Sequence, residues 1–181
     1  MWSSGDGLID HFRAMARNNR WANGKLLGAC VALGAEEFDA PRVGFFPSLR
    51  ETLTHNHLVD EYYLDALEEG GLGREVYRRA IPIVGPEQLR AAQEVTDHRL
   101  IAYCDALGPA DLDWCVLTDR GPDGSIPERV TNLLAHLFQH QIHHRGQAHA
   151  MLASTRISPP QLDEFFLDYD RDPAATRILA N

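Results

Sequence analysis

Residues 136–149 read HLFQHQIHHRGQAH and hold five of the chain's nine histidines, His136, His140, His143, His144 and His149. Imidazole titrates near neutral pH and is the commonest metal ligand, so the cluster signals a metal site, a proton site or a solvated surface. Which one depends on the direction each ring faces. Apolar periodicity from about Pro127 to Ala153 predicts a helix through this stretch. Each helical residue advances about 100°; with His140 at zero, Leu133 and Met151 project near ~20°, His144 near ~40° and Leu137 near ~60°. His140 and His144 therefore share a stripe with three large apolar side chains, the stripe that a bundle buries. His136 and His143 lie at its border, and His149 on the far side.

Histidines at i and i+4 on one face can reach a single cation, as in the helical pair of zinc proteases. The glutamate that follows the first histidine in those proteases is Gln141 here, so that reading fails. An open, catalytic-type site also needs a third protein ligand.

Three further helices are predicted. The first runs from about Leu8 to Leu33, ahead of a stretch broken by Gly34, Pro41, Gly44 and Pro47. The second opens on a capping box, Ser48 with Glu51, and stops near Gly70. The third has Pro86 at its first position and reaches about Leu107. Between them, GREVYRRAIPIVG has strand-like character, and GPADLDWCVLTDRGPDGSIP reads as irregular or weakly hairpin-like. The expectation is one all-α domain over residues 1–181, a four-helix bundle with a core at about 8–155 and long crossover connections. The tail, residues 156–181, is expected to add one further turn and a mobile end.

On the second helix, His55 projects with Val59, Tyr62 and Ala66, and His57 with Thr54, Glu61, Asp65 and Glu68. His55 is thus expected inside the bundle and His57 in water. His55, His140 and His144 can then form a facial three-histidine site; the alternative is that His55 is a hydrogen-bonded core residue. Asp60 projects to a border position, either supporting the ligands from behind or simply exposed.

The formal net charge of -9 and pI of about 5.4 disfavour nucleic acid and anionic membranes as partners. Three cysteines at scattered spacings form neither a disulfide framework nor a zinc knuckle. With no signal-peptide pattern and no membrane-length apolar run, a cytoplasmic location is expected.

LLAHLFQHQIHHRGQAHAML resembles the closing helix of the DinB/YfiT-like superfamily. RNNRWANGKLL is similar to that family's first-helix segment through Asn19, Trp21, Ala22 and Asn23, although Asn18 replaces its tyrosine. FFPSLRETLTHNHLVDEYYL resembles its second helix through His55 and Asp60, with His57 as a neighbouring competitor. The resemblance implies an up-down-down-up bundle, usually dimeric. It also implies a divalent metal, zinc or nickel, on His55, His140 and His144. Some superfamily members are thiol-dependent transferases or isomerases that use a low-molecular-weight thiol cosubstrate. The chemical readings left open are thiol transfer to a small electrophile, metal-dependent hydrolysis, and a non-catalytic stress-related role for the metal. Separately, Leu134, Phe138, Ile142 and Leu152 give the closing helix a second apolar side, which predicts a twofold homodimer through that helix.

Overall fold

The computed structural model describes residues 4–169 and 171–179. It is predominantly helical. The long helices are α1 (Ser4–Leu33), α3 (Leu49–Leu67), α5 (Pro86–Ala106) and α6 (Val130–Leu152); α2 (Ala35–Asp39), α4 (Glu75–Arg79) and α7 (Pro173–Leu179) are short. Ser48 caps α3, its Oγ accepting from Glu51 N at 3.1 Å, and Pro86 opens α5, where no intrahelical partner for its nitrogen is needed.

Side-chain contacts set the packing. Along α1, Arg17 pairs with Asp105 and Arg20 with Glu94, so α1 and α5 run antiparallel. Asp60 meets Gln93 while Glu68 meets Arg99, so α3 and α5 run parallel. Thr52 lies by Met151 and Tyr63 by His136, so α3 and α6 run antiparallel. Phe12 stacks on Phe138 and Asn23 meets Arg145, so α1 and α6 run parallel.

The interior has three tiers. One apolar cluster includes Phe12, Tyr62, Leu100, Leu134 and Phe138; a second, at the other end, includes Leu26, Leu49, Leu89 and Leu152. Between them lies a buried polar tier to which each long helix gives one i, i+4 pair: Asn19 and Asn23, Asn56 and Asp60, Gln93 and Asp97, Gln141 and Arg145.

Several expectations are corrected here. His57 is buried, at 8% exposure, as are Asp60 and Asp65: the polar arc of α3 faces α5, where Asp60 meets Gln93 and Glu61 meets Thr96, while Asp65 accepts from Gly73 N beyond the end of α3. The strand-like stretch after Gly71 contains α4, followed by irregular chain. The irregular segment before α6 is a true hairpin, β1 (Cys115–Asp119) with β2 (Ser125–Arg129). Pro127, expected to open the last helix, pairs with Leu117 in β2 and is tolerated because both strands of a hairpin are edges. Leu134, Phe138 and Leu152 are buried within the chain itself, and of the expected second side of α6 only Ile142 stays exposed, at 48%. The tail docks on α1: Phe165 is buried against Trp21 at 5.5 Å between ring centroids, and Lys25 pairs with Asp172 at 2.7 Å. Among the described residues, no helix is long and apolar enough to cross a membrane.

Candidate metal centre

The α3/α6 seam brings His55, His140 and His144 together, with one ring nitrogen of each lying within 4.8 Å of the others. Four-residue spacing stacks His140 and His144 on one face of α6, their ring centroids 4.3 Å apart. His55 reaches across from α3, its ring 5.2 Å from that of His140 and 4.7 Å from that of His144. The Nε2 atoms of His55 and His140 are 3.2 Å apart. Ligand nitrogens about 2.0–2.1 Å from a tetrahedral cation sit roughly 3.3 Å from each other, so this pair already has a ligand-like separation.

The charge state suits the role. Burial, reinforced by the neighbouring His144 and His55, pushes the His140 imidazole down to about 3. Burial also lowers His55, with His144 adding to the effect, and burial lowers His144. All three are neutral near pH 7, the form in which imidazole offers a lone pair. The Nδ1 of His144 lies 2.8 Å from Gln147 Oε1, which can only accept, so Nδ1 carries the proton and Nε2 keeps the lone pair. Gln147 in turn donates through Nε2 to His143 Nε2 at 3.1 Å. The donor set thus fits a divalent cation: three neutral imidazoles converge, and one is held in the ligating tautomer.

Phe46 walls one side, its ring 4.6 Å from His55 and 5.9 Å from His144. The loop that carries it passes close to the end of α6, where a Cβ on Gly44 would collide with Met151 Cε. On the other side His136 packs edge-on against Tyr63 at 5.1 Å, with its centroid 6.1 Å from His140. His136 and His143 therefore border the centre without joining it. His57 lies outside the group, lining a separate cavity with Glu61, Gln88 and Ala92.

Directly behind the histidines sits the polar tier. Asp60 Oδ2 accepts from Gln93 Nε2 at 2.9 Å and from Gln141 Nε2. Asp97 accepts from Asn19, Asn23 and Gln93 at 2.9–3.3 Å. Arg145 donates to Asn19, to Asn23 at 3.0 Å and to Gln141 at 3.0 Å. Burial raises Asp60 to about 8 and Asp97 to about 6, and lowers Arg145 to about 10. Asp97 and Arg145 thereby keep their charges among neutral amides, while the Asp60 carboxyl, whose Oδ1 has no hydrogen-bond partner, is held in its protonated form. Sequence reasoning placed Asp60 at a border and gave Gln93, Asp97 and Phe46 no role. The available signal was the recurrence of a polar pair at i, i+4 in the middle of every long helix, Asn, Gln or Asp in three of them and Gln with Arg in α6.

A family model described as DinB family matches residues 7–172. A comparison with curated proteins finds no match.

Proposed function

This chain belongs to the DinB family, and we propose that it binds one divalent cation, zinc or nickel, through His55, His140 and His144 and transfers a low-molecular-weight thiol to a small electrophile. The convergence of three neutral imidazoles at a seam that still reaches solvent carries this reading. A cation held by these three neutral imidazoles would keep its full charge and would supply a means of stabilising a thiolate near pH 7. The protein's own residues do the rest. Gln147 holds the His144 tautomer, Phe46 shields the ligands on one flank, and the polar tier fixes the rotation of α6. The directions in which the long helices pair support the up-down-down-up order as part of the same proposal. A twofold homodimer through α6 belongs to the same proposal, on a face where Ile142 alone of the expected residues is exposed; sedimentation at micromolar concentration tests it.

Elemental analysis of untagged protein is the direct test. About one metal per chain is expected in wild type and in His57→Ala, and none in His55→Ala, His140→Ala or His144→Ala. A screen of thiols with electrophiles on the loaded protein then follows. Full loading with no turnover would favour the non-catalytic role, and folded wild type that takes up neither zinc nor nickel would refute the metal site.

A further inference from the structure

A second recess opens beside the histidines, toward the hairpin. It has a volume of about 260 Å³ and is lined by His140, His136, Tyr62, Tyr63, Arg74 and Arg120, among others. That volume lies just below the usual range for ligand sites and suits a small molecule. Because His140 forms part of its wall, whatever lies in it is beside the metal centre.

Its far wall carries two arginines, Arg74 and Arg120, beside one carboxylate, Asp119. Arg120 extends from the end of β1 over Tyr63, its Cζ 5.9 Å from the ring centroid. The guanidinium contacts Tyr63 Oη and Glu128 Oε1 only at 3.4 Å, the long end of hydrogen bonding, and so has donors to spare. Arg74 lies against Gly121, where a Cβ would collide with its Nη1; φ there is +68°, so the glycine is required by conformation as well as by space. The Arg74 side chain forms no ion pair or hydrogen bond among the described residues. The acidic residue in the wall, Asp119, is already engaged: its Oδ2 accepts from Arg74 N at 3.0 Å and its Oδ1 from Gly121 N at 2.8 Å. It shapes the turn and lies in the field of Arg74, while Arg120 is paired with Glu128 at 3.4 Å; what the two guanidiniums keep for a ligand is free N–H donors. Burial raises the hydroxyls of Tyr62 and, to about 12, Tyr77, so both remain protonated, and Tyr77 stacks on Tyr62 at 5.5 Å. Two arginines on an aromatic floor, within one small recess, match a planar carboxylate that bidentate hydrogen bonds can hold.

We propose that this recess is an anion subsite, in which Arg120, assisted by Arg74, binds the carboxylate end of a small substrate whose reactive end lies at the histidines. The inference rests on the metal-dependent reading for the role of that reactive end, but the anion site itself exists without metal. The test therefore begins with metal-free protein. Succinate is titrated while the arginine Nε–Hε NMR signals are followed, with succinamide as the uncharged control. Saturable shifts of the Arg120 signal with succinate alone are expected, and affinity should fall by about tenfold in Arg120→Gln and by less in Arg74→Gln. Zinc-loaded protein is then titrated calorimetrically with mercaptosuccinate and β-mercaptoethanol. Wild type should prefer the former by about tenfold, and Arg120→Gln should lose that preference while keeping its zinc and its affinity for the neutral thiol. No response to succinate in folded wild type overturns the subsite, and so does a preference that survives in both arginine variants, since chelation would then explain it. If Arg120→Gln fails to fold, the succinate response of wild type and Arg74→Gln still decides. Succinate binding in a protein that takes up no zinc would sink the metal reading and leave the subsite standing.

Discussion

Gln147 shows how one side chain can prepare a ligand without touching a metal. Its carbonyl oxygen accepts a hydrogen bond from His144 Nδ1–H, and its amide is anchored on His143. Removing it lets the ring turn over and places the proton on the wrong nitrogen for part of the population. Losses of this kind cost metal affinity by roughly 10–100-fold. Gln147→Ala should therefore weaken zinc binding within that range while leaving circular dichroism and the melting temperature of metal-free protein unchanged. A competition titration against a chromophoric chelator measures it, and unchanged affinity would reduce Gln147 to a surface residue. His144→Ala, by contrast, should abolish binding outright.

At the scale of elements, Ser48 holds the start of α3 and, through it, His55 two turns on. Ser48→Ala should cost about 1 kcal/mol, read as a shift of the urea midpoint with unchanged slope. This helix start was legible because a capping box is local chemistry, as was the start of α5 at Pro86. The histidine trio was legible for a similar reason: i, i+4 spacing and an apolar stripe are properties of a single helix. His57 was not. A projection that equates polar with exposed fails wherever two helices meet through polar side chains, and α3 meets α5 through Asp60, Glu61 and Thr96. Nor was Pro127 in β2, since its strand exists only through pairing with β1, Leu117 opposite Pro127. The wall provided by Phe46 depends on a loop whose path no periodicity encodes.

For the molecule as a whole, the buried carboxyls govern how stability responds to pH. Asp60 sits near 8 in the folded protein, against about 3.9 when unfolded. The native state thus keeps a proton that the unfolded chain has released, and stability falls as pH rises toward 8. The lowered histidines act in the opposite sense, but only below about pH 6.5, where their unfolded counterparts become charged. Between about pH 7 and about pH 8, Asp97 and the histidines no longer contribute, so Asp60 sets the slope. Metal-free wild type should lose about 1 kcal/mol across that interval in urea unfolding. Asp60→Asn, which has no proton to lose, should give a flat profile; a wild-type profile equally flat would mean that the carboxyl is already ionised at neutral pH.

The polar tier also acts as a key in a lock. Gln141 and Arg145 sit one residue after His140 and His144, so the two pairs are neighbouring stripes on α6, offset by about 100°. Sliding or turning α6 by a single position would bring one pair to the place of the other. It would strip Asn19, Asn23, Asn56 and Asp60 of their α6 partners, Gln141 and Arg145, in the dry interior, at about 1–3 kcal/mol for each group left unsatisfied. An all-leucine interior would tolerate such a slip; this one rejects it. The histidines are thereby aimed during folding by residues that never meet the ligand, and the centre can open to solvent without loosening the part that sets its direction.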